Sequence, residues 1–268
     1  MVMRAQDCFR LKGEERIIAE ETLGLNRQQM LLHPQREISE EKAELLEKRL
    51  LELKEGRPLQ YILGYWEFEG RRFEVGEGVL IPREDTSALV ALAKEALRGK
   101  NNAVFADLGS GSGIIAATIS LDLNIKGYAA EKSEKAFKYL LKNIKNLGAQ
   151  VTAICGDMFS EDVLSKLPPL DLVASNPPYI TAEEMRELDS NVLREPHEAL
   201  FGGRDGLDFY REICKVYYGK LKEGGALAFE VGYRQADAVS EIMKATGFKN
   251  VKEQKDINAI RRAVCAFK

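Results

Sequence analysis

Asp107-Leu108-Gly109-Ser110-Gly111-Ser112-Gly113 stands between an apolar run at 103–106 and a helical one at 114–121. Alternate glycines let the chain turn sharply from strand to helix and approach a ligand that any Cβ would block. Outward from this loop the same alternation continues. Candidate strands at 126–130, 151–155, 170–174, 226–231, 248–251 and 263–267 are interleaved with helical segments at 133–147, 181–188, 207–221 and 234–245. Such a chain builds a largely parallel α/β sheet covered on both faces. Only residues 252–260 join the last two strands, too few for a crossover helix, so these strands are expected to pair antiparallel at a mixed edge.

The loop is not a dinucleotide fingerprint, because one residue rather than two separates its second and third glycines. The Gly-Lys-Ser/Thr ending of a phosphate loop is also missing. Asp107 discriminates further: a carboxylate repels pyrophosphate and welcomes an ammonium or a sulfonium. S-adenosylmethionine carries both. Glu131, about 20 residues past the loop at the end of the second strand, stands where an acid accepts ribose hydroxyls. Asp157 and Met158, ending the third strand, suit the edge and face of an adenine. The candidate cofactor residues are therefore Asp107, Gly109, Ser110, Gly111, Ser112, Gly113, Glu131, Asp157 and Met158, with Asn176 from a neighbouring strand end. A plainer role for Asp107 and Glu131 is to order helix N-termini, which favour acids in any protein.

Asn176-Pro177-Pro178-Tyr179 follows the apolar run at 170–174. Two prolines remove backbone donors and fix φ, and Pro177 keeps Asn176 out of the helical region. The product is a stiff hook offering an amide, carbonyls and an aromatic ring. It suits a planar amino group that must be gripped and methylated. Asn176, Pro177 and Tyr179 are the candidate catalytic residues. Asn176 Oδ1 and the Pro177 carbonyl would accept the two amide hydrogens, while Tyr179 packs on the amide plane. Pro178 and Arg83 complete the substrate set. Arg83 equally suits a structural ion pair; the plainer role of the hook, a rigid turn ending a strand, is outweighed by the cofactor loop beside it.

The chain resembles the HemK/PrmC family of protein-(glutamine-N5) methyltransferases. The resemblance rests on Pro58-Leu59-Gln60-Tyr61-Ile62-Leu63-Gly64, Val79-Leu80-Ile81-Pro82-Arg83, the glycine loop, the hook, Glu195-Pro196, residues 199–207, and positions near Asp256 and Arg262. It implies a class I methyltransferase fold, Rossmann-like, with a seven-stranded mixed sheet. It also implies S-adenosylmethionine as methyl donor and, as substrate, the glutamine of the Gly-Gly-Gln motif of peptide chain release factors. Residues 1–65 would form a small N-terminal helical domain that helps hold the release factor. Residues 66–81, alternating apolar and polar about Gly70, would form a β-hairpin linker, and 82–268 the methyltransferase domain. Within the first part, Ser39 can cap a helix carrying Ala43, Leu46, Leu50 and Leu53, a stripe that reads as core. Gln60 and Tyr61 read as a packing corner, and Glu195-Pro196 as ordering a loop over the site. Departures from the family pattern are Ser87 in place of an acid, Met158 at an often aromatic position and Ala259 in place of a glycine.

A net charge of −3 and a pI near 5.7 supply no bulk basic field for nucleic acid. The N-terminal residues lack the apolar core of a signal peptide, and no apolar run approaches the ~20 residues of a membrane span. Cys8, Cys155, Cys214 and Cys265 are far apart, with Cys155 and Cys265 in strand-like runs that suggest buried free thiols. His33 and His197 are isolated, so no metal is expected. A reduced, cytoplasmic protein follows, and a monomer is the expectation. The competing readings are an adenine-N6 nucleic-acid methyltransferase, which needs the same hook, and a non-catalytic factor that binds translation proteins.

Overall fold

A computed structural model describes residues 3–189 and 192–268. Met1 and Val2, where the expected helical domain begins, lie outside the described residues. That domain contains α1 (Gly13–Leu23), α2 (Arg27–Leu32), α3 (Glu40–Lys54) and α4 (Leu59–Leu63). Ile18, Leu23, Met30, Leu46, Leu59 and Ile62 bury into one cluster, against which Ala43, Leu50 and Leu53 pack. Ser39 occupies the N-cap of α3, but its hydroxyl makes no capping bond. Glu40 and Glu41 in the first turn supply the favourable charge instead.

Strands β1 (Tyr65–Phe68) and β2 (Arg71–Glu74) pair antiparallel, with Phe68 opposite Arg71. The turn residues Glu69 and Gly70 have φ of 48° and 70°. Positive φ at both positions is what a two-residue turn needs to follow the twist of its strands.

The second part runs α5 (Thr86–Leu97), β3 (Val104–Leu108), α6 (Ile114–Leu123), β4 (Lys126–Glu131), α7 (Glu134–Leu147), β5 (Val151–Cys155), α8 (Glu161–Leu164), β6 (Leu170–Ser175), α9 (Asp208–Tyr217), β7 (Leu221–Glu230), α10 (Ala236–Thr246), β8 (Lys249–Lys255) and β9 (Arg261–Phe267). The sheet order is β5-β4-β3-β6-β7-β9-β8. Only β9 runs against its neighbours, so the expected mixed edge is present. Period-two alternation divides the core between the faces. Leu172, Ala174, Ala226 and Ala228 pack with α5 and α6, whereas Val173, Leu227 and Phe229 pack with α9 and α10. The chain leaves β3 toward β4 on one side while β6 lies on the other. The loops after β3 and β6 therefore diverge and open a crevice at the carboxyl ends of the strands.

Four expectations fail. Residues 181–188 are not a helix: Thr181 and Glu184 exchange the reciprocal bonds of a capping box, but only a 3-10 turn, Glu184–Arg186, follows. Nothing in that stretch is buried, so no apolar face sustains propagation. The segment 207–221 ends as helix at Tyr217, and Leu221 already begins β7. Helix α5, to which the sequence reading assigns no element, packs across the sheet through Leu89, Val90 and Ala93. Cys155 is exposed, since β5 is an edge strand, whereas Cys8, Cys214 and Cys265 are buried. Among the described residues no helix is long and apolar enough to cross a membrane. No group of three metal-ligating side chains occurs among them either.

The turn from β8 to β9 is organised by Asp256, which accepts from the Asn258 and Ile260 amides at 2.8 and 2.9 Å and from Arg262 Nε at 3.1 Å. Ala259 is held there at φ 62°, where a Cβ costs about 1–2 kcal/mol. Glycine would relieve that strain and lose about 0.4–1 kcal/mol through its freer unfolded chain. Ala259→Gly should therefore raise the melting temperature by about 1–3 °C, measured by calorimetry; a decrease would show that the turn tolerates the alanine without strain.

Candidate active site

A cavity of about 550 Å³ occupies the crevice. The glycine loop forms its floor, and Val79, Ile81, Ile114, Met158 and Phe209 give it apolar walls. The Gly109 and Ser110 amides donate to the Ala130 carbonyl at 2.9 and 3.0 Å, tying the loop to β4. At Gly113, φ is 85° and an added Cβ would stand 2.6 Å from Leu140 Cδ1. Only glycine lets α6 begin so close to α7.

Glu131 lines the cavity and is almost fully buried. Its Oε2 accepts from the Gly111 amide at 2.8 Å and its Oε1 from the Ser133 amide at 2.7 Å. Burial raises its pKa, and these amides oppose the shift. The carboxylate thus fixes the loop and the start of α7 while retaining lone pairs toward the cavity. Asp157 lies further along the wall, with Oδ2 accepting from Lys132 Nζ at 2.8 Å and Oδ1 from the Phe159 amide at 3.0 Å. The Lys132 bond is the main cause of its lowered pKa. Met158 leans on the loop, its Cε 3.3 Å from where a Cβ on Gly109 would be. Glu198, which the sequence reading does not single out, is a further acid in the lining. Its nearness to Glu195-Pro196 was the available signal.

Asp107 does not line the cavity; it is wholly buried beneath the loop. Its Oδ2 accepts from the Ala116 amide at 3.2 Å, the third residue of α6, and its Oδ1 has no partner. The carboxylate serves α6 as a cap supplied from the strand. Burial pushes its pKa up to about 7, against the pull of Ser110 and the Ala116 amide.

The hook begins beside the loop. Ser175 Oγ donates to the Leu108 carbonyl at 2.7 Å, locking the end of β6 to the end of β3. Asn176 and Pro178 line the cavity; Pro177 and Tyr179 are not among its lining residues. The Tyr179 side chain packs against the α9–α10 side of the core, and burial, followed by the nearby Glu230 charge, keeps its phenol protonated. Glycines clamp its backbone. A Cβ on Gly202 would stand 2.6 Å from Tyr179 Cα, and one on Gly206 2.3 Å from its carbonyl oxygen, which also accepts from Gln235 Nε2 at 3.0 Å.

Arg83 lines the cavity and pairs with Glu195, whose other oxygen accepts from the Ile81 amide at 2.9 Å. Arg194 donates to the Glu55 carbonyl of the helical domain at 2.6 Å. The segment carrying Arg194, Glu195 and Pro196 thus straps the helical domain, at Glu55, and the stretch from Ile81 to Arg83 to the cavity wall. Tyr61 is the expected packing corner, buried with its hydroxyl on the Val79 carbonyl at 2.6 Å. Gln60 lines a smaller cavity of about 240 Å³ beside Arg83 and Glu195.

Residues 12–64 match the PrmC N-terminal domain, and residues 85–205 the methyltransferase small domain. A release factor glutamine methyltransferase of Fusobacterium nucleatum is 39% identical over 94% of this chain and 72% of its own length. Those of Clostridium botulinum and Bacillus cereus are 39% and 36% identical, covering 89% and 97% of this chain and 86% and 94% of theirs. Among solved structures, the hMettl16 catalytic domain in complex with MAT2A 3'UTR hairpin 6 aligns with a TM-score of 0.59 at 16% identity, over 85% of this chain and 82% of that one. A methyltransferase from Pyrococcus furiosus gives 0.51 at 20% identity, over 67% and 82%. The structural likenesses support a class I methyltransferase fold.

The buried Asp107 has a measurable signature. Its pKa is near 3.8 when unperturbed and about 7 when folded, so ionisation costs the folded state nothing below pH ~4, progressively more up to pH ~7, and a constant amount above. Asp107→Asn removes that cost and should stabilise the free protein at pH 8 by roughly 2–4 kcal/mol, with no gain at pH 4. Thermal melts of both proteins at the two pH values test this. Equal melting temperatures at pH 8 would place a compensating cation or proton beside Oδ1.

Proposed function

We infer that this chain, which belongs to the family of release factor glutamine methyltransferases, transfers a methyl group from S-adenosylmethionine to the side-chain amide nitrogen of the Gly-Gly-Gln glutamine in peptide chain release factors. The observation carrying this reading is the hook and the glycine loop side by side at adjacent strand ends, opening on one cavity. The cavity fits the cofactor. Acids at Glu131, Asp157 and Glu198 suit a cation bearing ribose hydroxyls, and the walls by Met158 and Phe209 suit a flat base. When bound, S-adenosylmethionine supplies an electrophilic methyl group on a positively charged sulfur.

The protein's own contribution is position. An amide nitrogen is a weak nucleophile because its lone pair is shared with the carbonyl. Asn176 Oδ1 and the Pro177 carbonyl accept the two amide hydrogens, orienting the nitrogen and favouring pyramidal geometry as charge develops; one of these protons passes to water once the nitrogen carries the methyl group. Tyr179, held by its glycine clamp and packed on the α9–α10 side of the core, braces the hook that presents Asn176 rather than meeting the amide plane itself. Gly109, Ser110, Gly111, Ser112 and Gly113, with Glu131, Asp157 and Met158, hold the cofactor; Asp107 supports it from beneath the loop. Arg83, paired to Glu195, shapes the substrate entrance. The helical domain contributes to release-factor docking, and the protein works as a cytoplasmic monomer with no nucleic acid required. The acidic net charge supports a protein substrate over an adenine in a polynucleotide.

Asn176→Ala should lower methyl transfer by about 10²–10³-fold while leaving cofactor affinity nearly intact. Mass spectrometry of release factor after incubation, beside cofactor titration calorimetry, reads both. Wild-type methylation by the variant would remove Asn176 from the reaction.

A further inference from the structure

Glu230 is a carboxylate that neither lines the cavity nor has a part in holding the cofactor. It ends β7 with 2% of its surface exposed, in the middle of the sheet. A buried acid is costly unless its lone pairs are occupied. One oxygen, Oε2, accepts from Thr86 Oγ1 at 2.6 Å. Strand register says what faces the rest of the group. Ser175 of β6 pairs with Phe229 of β7 in parallel, so Asn176 and Glu230 stand next to one another one residue further on. Paired residues of parallel strands direct their side chains to the same face. The Asn176 and Glu230 side chains accordingly stand side by side on one face of the sheet, and Asn176 is among the groups that oppose the upward shift of the Glu230 pKa.

We propose that Glu230 is a positioning residue that fixes which way the Asn176 amide points. The inference rests on the reading of Asn176 as the residue that accepts the substrate amide. An ionised carboxylate accepts hydrogen bonds and donates none. Only Asn176 Nδ2 can face it favourably, which turns Oδ1 away from Glu230 and leaves it free to accept from an amide in the cavity. With no acid there, the Asn176 amide is free to rotate by half a turn and present a donor to a donor. Thr86 holds Glu230 in the rotamer that does this. Asp85 just before α5, Arg262 of β9, Tyr179 of the hook and Tyr210 of α9 are the charged or titratable neighbours. Burial pushes the Glu230 pKa up to about 7, with Asp85 adding to the push, while the Thr86 hydroxyl first and Arg262 next oppose it.

The test is Glu230→Gln, which keeps the shape and an acceptor for Thr86 but presents an amide to Asn176. Methyl transfer to release factor should fall at least tenfold in kcat, with the calorimetric Kd for S-adenosylmethionine within twofold of wild type. The wild-type rate should rise with pH through the region near 7, and Glu230→Gln should lack that limb. In a second variant, Thr86→Val, loss of the donor should shift the limb to higher pH. The proposal is overturned if kcat is unchanged in Glu230→Gln, if cofactor affinity falls in proportion to rate, if the limb survives in Glu230→Gln, or if Thr86→Val leaves it in place. Persistence of full activity in Asn176→Ala is a separate result, which removes the reading beneath.

Discussion

The arrangement depends on the parallel register that aligns β3, β6 and β7. Leu108 pairs with Ser175, and Ser175 with Phe229. The residues that follow, Gly109, Asn176 and Glu230, therefore emerge in one row at the carboxyl edge of the sheet. A slip of one residue in β6 would reverse every side chain on that strand. Leu172 and Ala174 would then exchange faces with Val173, and Asn176 would leave Glu230. Burial on both faces makes that slip expensive, and the Ser175 hydroxyl on the Leu108 carbonyl fixes the end where precision matters.

Two buried acids, Asp107 beneath this row and Glu230 within it, both cost stability. Asp107 caps α6 from below with one oxygen unpaired, while Glu230 is held by Thr86 among Asn176, Asp85 and Arg262. Apolar residues of the same size would pack more cheaply. Each acid instead holds something that apolar groups cannot: a helix N-terminus under the glycine loop, and the polarity of an amide. Sites of chemistry are where such local costs are expected to survive.

Much of this was legible in the chain. The glycine loop, the seven strands, the antiparallel edge and the hairpin are local patterns, set by apolar periodicity and turn chemistry, and they stand where expected. Ala259, read as an alanine in a glycine's place, is indeed at positive φ. The failures lie where neighbours decide. Residues 181–188 begin as a helix and find no core to lean on. Asp107 reads as a cavity acid in sequence, yet strand pleat sends its carboxylate under the loop. Glu230 is one acid among many in sequence; only the pairing of β6 with β7 sets it opposite Asn176.

The same logic explains why the helical domain is bound to the cavity rather than merely tethered to it. A hairpin alone is a narrow connection, stabilised by few cross-strand pairs. The strap adds polar anchors at both ends. Arg194 reaches the Glu55 carbonyl after α3, and Glu195 takes the Ile81 amide and the Arg83 guanidinium, while Pro196, Glu198 and Ala199 form cavity wall. Glu195 is buried, so its charge strongly favours retention of both partners once they are in place. The segment that bonds the helical domain at Glu55 is therefore continuous with one that lines the cavity.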